Sequence, residues 1–507
     1  MVSRIVFLLA FIFTGVFTQA QYLLPPLKND LRGIPEVKVT IYDSALLKQD
    51  FKLAFTTMDR RMMMEKSVLD PTSFQIVSAT HPFPPEVFAF CSASQIHNGK
   101  VYLFQDFRIH ANGKSSMYVN LHDSTTRIDA YFIMQTDTQG KFKVIDTFGS
   151  NESRSVDAHS FVVDKKGRYW FVGYNLHKYD MSHRTKNIDD TTADIQTTKV
   201  EVWDPAVGKY VFEMDLWERG LIKIDSIPMH IIEMDSEHHA YDVTHANSWV
   251  PMGEVDGCDV GLLSDLMDGV KFIRLCDSTV LRYGATLSDF KSLDSSDYHL
   301  HLQHDFRMIS DGPYKGYFSC FDDGSSPTFV YRYATVPILK FDLKRKTVQK
   351  VKEYSFPAIY STGRGNVDFM GDYMLINFGV EKVKFDGVKN DPHYTDTLPN
   401  WVMWNIVTNK MAAKYYLPVA DHSYNVWFMK GDQTTRPQIS FRNNKLSIDP
   451  AKWSNPMWST GESTYSITPI KKGPYYVTVN GGGLFRQVSD EIKFPEIIAK
   501  GQRIPTK

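Results

Sequence analysis

The feature that most narrows the fold is a hairpin that keeps returning. From about residue 75 onward, short runs rich in aromatic and β-branched residues alternate with Gly, Asn and Asp turns, which is the pattern of strand–turn–strand units. The clearest is Phe161 to Val172, FVVDKKGRYWFV, where Asp164 opens the turn and Gly167 supplies a positive φ. Gln95 to Phe104, Ile231 to Tyr241, Phe306 to Phe318, Val367 to Ile376 and Ile439 to Ile448 are weaker copies. Their turns fall roughly 60 to 75 residues apart.

A second hairpin follows in most units. Val200 to Val211, Leu339 to Val348 and Val402 to Met411 share a plan in which Asp or Asn begins the turn, and Phe132 to Val144 is a looser match. Two consecutive hairpins make a four-stranded antiparallel meander, and a meander repeated in tandem is the plan of a β-propeller blade. The sequence therefore predicts an all-β chain with a single six-bladed β-propeller over residues 75–495 and a short tail at 496–507. A pair of β-sandwich domains is the competing arrangement. The period exceeds the usual blade length, so 175–198 and 251–269 are read as long inter-strand loops. Composition agrees with a folded β protein: 33 Phe, 26 Tyr and 9 Trp favour strands over helices.

Residues 21–74 read as an N-terminal extended segment and helix. The stretch 21–35 is Pro-rich, Val37 to Ile41 alternates like a strand, and Asp43-Ser44 caps a helix running to about Lys66. Leu46, Leu47, Phe51, Ala54, Phe55 and Met58 fall at helical spacing. In a closed ring the strand near Val37 would complete the last blade.

Residues 1–20 have the form of a signal peptide. Arg4 is followed by the apolar run Ile5 to Phe17 and then Thr18-Gln19-Ala20, with small residues where a signal peptidase cuts. The run is too short for a membrane span, which needs about 20 apolar residues, and no later segment of that length is free of charge. A secreted, extracellular chain is expected. Its four cysteines then suggest two disulfides. Cys258 with Cys276 is the nearest pair, and Cys91 with Cys320 remains. Asn151-Glu152-Ser153 is a glycosylation sequon in a polar run. Lys and Arg number 57 against 58 Asp and Glu. That balance gives no basic surface for nucleic acid.

The densest polar constellation is Asp297 to Asp305, DYHLHLQHD. On a strand, His299, His301, Gln303 and Asp305 would share one face, with Leu300 and Leu302 packed on the other. His299 and His301 would place two imidazoles on one divalent metal such as zinc, with Asp305 and His245 as further binding candidates. The plainer reading is a polar face turned toward a wet channel. Asp256, Asp259, Asp265 and Asp268 crowd one presumed loop with three glycines, a composition that also suits calcium. Glu237-His238-His239 sits at a hairpin turn. No G-x-S-x-G elbow, phosphate loop or HExxH motif is present. Two functions follow: a secreted binding protein for a small ligand or an extracellular partner protein, held in the channel or on the loop face; or an extracellular metal-dependent, hydrolytic enzyme using channel His and Asp residues.

Overall fold

The computed structural model describes residues between 38 and 494. It leaves out 1–37, 44–51, 60–75, 91–102 and 495–507, together with further stretches that include 151–155, 236–239, 295–299 and 301. The expected signal peptide, Cys91, Asn151, His299 and His301 therefore lie outside the described residues. Within them the chain is almost entirely strand. Helix is confined to Ser182–Thr185 and the 3-10 turns Ile188–Thr192 and Ile224–Ser226.

Six antiparallel sheets follow one another along the chain. The first is Leu103–Ile109, Lys114–His122, Arg127–Thr136 and Phe142–Gly149. The second is Phe161–Val163, Tyr169–Tyr179, Ala193–Asp204 and Lys209–Asp215. The third is Ala246–Val255, Cys258–Asp265, Gly269–Arg274 and Val280–Tyr283. The fourth is Gln303–Met308, Phe318–Asp322, Thr335–Asp342 and Thr347–Ser355. The fifth is Asn366–Met370, Tyr373–Asn377, Trp401–Asn405 and Lys410–Tyr416. The sixth starts with Asp421–Met429 and is continued by Lys52–Asp59, Ile76–Pro82 and Pro85–Val87 from the other end of the sequence. Each sheet touches the next, and the sixth touches the first through Asp421–Met429 and Lys52–Asp59 against Leu103–Ile109. The ring is closed, as in a six-bladed propeller.

The core lies between neighbouring sheets, face on face. Tyr131 and Phe148 of the first sheet pack on Phe161 and Phe171 of the second. Trp170 of the second meets Trp249 of the third with ring centroids 5.2 Å apart. Phe272 packs on Phe306 and Phe318, Val336 and Phe321 on Val367 and Met374, and Trp401 and Tyr415 belong to one cluster with Leu53 and Val426.

Polar side chains of the innermost strands tie the sheets together. Ser160 Oγ accepts from Trp249 N (2.8 Å) and donates to Trp249 O (3.2 Å). Asn247 donates to Gln303 O (2.6 Å) and accepts from Asp305 N (3.3 Å). Asn366 donates to Val426 O (2.7 Å) and accepts from Val426 N (2.9 Å). In each case one short side chain imitates a strand neighbour, so innermost backbone groups facing the next sheet are satisfied.

Several expectations change. Lys52–Asp59, expected as helix, is a strand paired on both sides, with Asp421–Met429 and Ile76–Pro82. Leu53 is buried against the fifth sheet's core. Long-range pairing overrode a helical spacing that was only approximate. The strand near Val37 does not complete the last sheet: Lys38–Ile41 pairs on the outer edge of the fifth, and Lys52–Asp59 takes the place expected of it in the sixth. The presumed loop 175–198 is an unbroken strand pair from Tyr169↔Trp203 to Tyr179↔Ala193, joined by the short helical turns. The presumed loop 251–269 is the centre of the third sheet. Asp256 (φ 49°) and Gly257 (φ 75°) form its hairpin turn, a known Asp-Gly signal. The hairpin near 236 instead adds edge strands to the second sheet, and the one near 443 belongs to a small three-stranded sheet with Ser466–Ile467.

Cys258 and Cys276 are joined by a disulfide with Cα atoms 5.8 Å apart. It staples a loop of this size for about 3 kcal/mol by chain entropy. Cys320 is buried in the fourth sheet. In the third sheet, a Cβ on Gly261 would stand 2.0 Å from Cη2 of the buried Trp249. Gly261→Ala is expected to lower unfolding stability by about 1–3 kcal/mol, the range for overpacking, in denaturant titrations. An unchanged midpoint would show that Trp249 can move aside.

Candidate functional site: a charged axial channel

The innermost strands line a cavity of about 750 Å³ at their C-terminal ends. Its walls are largely apolar, with Val162, Val250, Met252, Ile309, Phe369 and Phe428, and its polar groups include Arg108, Arg307, Asp368 and Trp427. Lys166 and Arg168 stand at the rim, but both are occupied. Asp164 accepts from the backbone N–H of Lys166 and Arg168 and from Arg168 Nε (2.8 Å) and Trp170 Nε1 (2.9 Å). Asp259 then takes Lys166 Nζ (2.9 Å) and Arg168 Nη1 (2.8 Å). The rim charge is neutralised in place.

Deeper in, a short motif appears twice. Asp106-Phe107-Arg108 in the first sheet and Asp305-Phe306-Arg307 in the fourth occupy opposite sides of the six-membered ring. Both Asp residues have positive φ, 47° and 55°, and both sit at register shifts in their strand pairing. A bulge with a left-handed residue re-aims the following side chains. Arg108 Nε donates to Asp106 Oδ1 (2.6 Å) and its Nη2 to His159 O (3.1 Å). Arg307 Nη2 donates to Asp305 Oδ1. Trp427, from the sixth sheet, lies under both guanidinium groups, 4.3 Å from Arg307 and 5.4 Å from Arg108. Asn425 donates to Asp106, and Tyr131 Oη donates to Asp106 and to Asp157 O. Asp368 accepts the backbone N–H of Phe428 (2.8 Å).

Despite this network, four buried polar atoms around the channel have no partner: Arg108 Nη1, Arg307 Nε, Trp427 Nε1 and Asp305 Oδ2. Unpaired buried donors cost about 1–3 kcal/mol each, more when charged. Burial pushes the carboxyls of Asp106, Asp305 and Asp368 above the ordinary carboxylate range, although the nearby arginines oppose it. Burial also works against the Arg108 cation, but Asp106 and Asp305 outweigh it and hold the guanidinium charged.

Two imidazole–carboxylate pairs stand at the N-terminal ends of the innermost strands. His159 Nδ1 lies 2.7 Å from Asp157 Oδ1, and His245 Nδ1 lies 2.7 Å from Asp242 Oδ2. A carboxylate accepts only, so each Nδ1 carries a proton. The two rings meet edge to face, 4.8 Å apart. Burial acts to raise Asp157, but His159 and His245 reverse this and hold it below the ordinary range. His110 is different. Its Nδ1 accepts from Val163 N (3.1 Å) and its Nε2 lies 2.8 Å from Ser116 Oγ, so both nitrogens are spent on structure.

Of the residues singled out from the sequence, Asp305 is buried against Arg307 without lining the cavity, and His245 stands at the N-terminal ends of the strands, opposite the end that the cavity occupies. Leu300 is buried between the third and fourth sheets, as expected. The regular alternation expected of this segment does not hold among its described residues. Leu302 (φ 55°) and Asp305 (φ 55°) break it, and the strand begins at Gln303, whose amide donates to Asp265 O (2.8 Å) instead of facing the axis. The acids proposed for calcium are engaged elsewhere: Asp256 in the turn, Asp259 with Arg168, Asp265 and Asp268 with the fully buried Lys271. Among the described residues no group of three or more His, Cys, Asp or Glu is placed to hold a metal ion. Sequence reasoning missed Arg108, Arg307, Trp427 and His159. The repeated Asp-Phe-Arg was the available signal for the first two.

Fold and site together define a ring of β-sheets around an enclosed, charged channel. Residues 129–384, just over half of the chain, match the model of the arylsulfotransferase (ASST) family, and the chain belongs to that family. No curated protein matches it. Solved structures that it resembles include a protein of unknown function from Bacteroides caccae, at 6% identity over 76% of this chain and 100% of that one, with a TM-score of 0.39. A GH32 β-fructofuranosidase of Bombyx mori aligns at 9% identity over 77% and 88%, TM-score 0.31. Saccharomyces cerevisiae Sqt1 aligns at 9% identity over 82% and 90%, TM-score 0.29. Likenesses this loose carry no argument about the site.

His110 sets an acid limit. Burial, with Arg108 and Lys114 adding to it, lowers its pKa to about 3. The unfolded imidazole takes a proton near pH 6.5, so the stabilisation is full above that pH and is lost as pH falls toward about 3. The expected loss from this residue is about 1.4 kcal/mol per pH unit within that window. Denaturant titrations at pH 7 and 5 beside an NMR titration check it. A His110 imidazole that titrates near 6 in the folded protein would refute it.

Proposed function

We propose that the channel holds the sulfo group of an aromatic sulfate ester and passes it to an acceptor hydroxyl. The observation that carries this reading is the set of unpartnered buried donors, Arg108 Nη1, Arg307 Nε and Trp427 Nε1, on three residues that line a cavity with apolar walls. Guanidinium groups suit tetrahedral oxyanions, and apolar walls suit an aryl body. Family membership supplies the reaction class. In the transfer, the acceptor oxygen bonds to sulfur as the bond from sulfur to the aryl oxygen breaks. The acceptor's proton passes to water as the new bond forms. The aryl oxygen leaves as phenoxide and recovers a proton from water.

The chain acts outside the cell on this reading. Its signal-like head and the Cys258–Cys276 bridge support an oxidising compartment. A binding role without turnover is the second reading, since the same donors would hold an anion without reaction.

The test uses 4-nitrophenyl sulfate with phenol as acceptor. Acceptor-dependent release of 4-nitrophenol is expected. Arg307→Lys and Arg108→Lys are expected to raise KM about tenfold or more, because a charged hydrogen bond contributes about 1.5–3 kcal/mol. Sulfate binding without release under any acceptor favours the binding role, and no binding at all removes both readings.

A further inference from the structure

Away from the channel, the third sheet holds a lysine between two carboxyls. Lys271 on Gly269–Arg274 stands across from Leu263, and side chains two residues apart share a face. Leu263 and Ile273, its neighbours on that face, belong to the apolar core between the second and third sheets. The Lys271 and Asp265 side chains are completely shielded from solvent, whereas Asp268 keeps 14% of its side chain exposed. Lys271 Nζ lies 3.0 Å from Asp265 Oδ2 and 3.2 Å from Asp268 Oδ2. Asp265 Oδ1 accepts the backbone N–H of Met267 (3.1 Å). Two carboxyls around one ammonium leave an excess negative charge in the core, where charge is costly. Burial accordingly pushes the Asp265 carboxyl above the ordinary carboxylate range. At Lys271 burial works against the cation, but Asp265 and Asp268 outweigh it and hold its proton.

We propose that Lys271 and Asp265 condense into an isopeptide bond, Nζ to Cγ, so that the third sheet carries an amide staple beside its disulfide. The Lys271 proton first moves to Asp265 Oδ2 across their hydrogen bond, which leaves a neutral amine beside a neutral carboxyl at the same net charge. The amine lone pair adds to Asp265 Cγ, and the Met267 N–H stabilises the charge that develops on Oδ1. Asp268 takes a proton from Nζ and delivers it to Oδ2, which departs as water when its bond to Cγ breaks. The products are one amide and one water, Asp268 is returned as a carboxylate, and nothing is oxidised or reduced. The exposed part of Asp268 marks the way out for that water. Exclusion of bulk water from Lys271 and Asp265 then protects the amide from hydrolysis. Because the carboxyls favour the protonated lysine, the reactive form is the minor one, and the bond forms after folding at a rate set by that form. The staple closes the strand pair Cys258–Asp265 and Gly269–Arg274 at the end opposite the Cys258–Cys276 bridge.

Tryptic mapping of the full chain, folded and then reduced and alkylated, reads the bond directly. Trypsin cuts after an unmodified Lys271 and not after an acylated one. The expected peptide runs uncut through Lys271 to Arg274 and is about 18 Da lighter than its sequence, the mass of one water. On fragmentation, residues 265 to 271 should behave as a closed loop. Asp268→Asn keeps the side chain's size and removes its proton-carrying carboxyl. That variant should fold with an unchanged circular dichroism spectrum, yet be cut after Lys271 at full mass. If it does not fold, the wild-type map decides. A wild-type peptide cut after Lys271 at full mass overturns the proposal. A wild-type peptide that has lost the water but is still cut after Lys271 overturns it too, because that loss comes from an imide within the backbone. A folded Asp268→Asn protein that still carries the bond overturns the role given to Asp268.

Discussion

Ser160, Asn247 and Asn366 do for the ring what a ladder does for a sheet. Six sheets packed face on face would otherwise present the backbone of their innermost strands to an enclosed channel, where an unpaired amide is costly. Each of these residues spends one short side chain on the neighbouring strand, accepting from an N–H and donating to a carbonyl. Aromatic packing between sheets supplies most of the burial, but it is non-directional. The side-chain bridges fix the register at which one sheet meets the next. They also set where Asp305 stands, because its own N–H is one of the groups so held.

That fixed register explains why opposed Asp-Phe-Arg segments can converge on one tryptophan. The two arginines come from opposite sheets and Trp427 from a third. No local segment contains the site. Its electrostatics are likewise collective: Arg108 keeps its charge because of Asp106 on its own strand and Asp305 on the opposite sheet, and those carboxyls resist ionisation because the same packing removes water.

The hairpins were legible in the sequence because their turns use residues with specific backbone demands. Asp164 to Gly167, Asp204 to Gly208 and Asn405 to Asn409 all appear as read, with Gly167, Gly208 and Asn409 at positive φ. The third sheet was hidden by its own composition. Its Asp-Gly turn and buried Asp265–Lys271 pair resemble an acidic loop when only residue types are counted. Lys52–Asp59 was hidden because one of its two partners is at the far end of the chain, and a strand paired on both sides need not alternate. At the site, Asp305 was picked out for a regular strand that the positive φ at Leu302 and Asp305 interrupts, and His245 as a further candidate from a different segment. His159 carried no motif at all; its setting is given by Asp157 two residues before it and by the ring of His245.

The sixth sheet joins Lys52–Asp59 to Asp421–Met429. A ribosome adding about 5–20 residues per second needs roughly 20–70 s to travel between them. Throughout that interval the earlier strand has been made and its partner has not, so one edge of Lys52–Asp59 is left open to other chains. Birth of this protein is therefore a waiting problem. Whatever escorts the nascent chain must keep its beginning from pairing elsewhere until nearly its end has emerged.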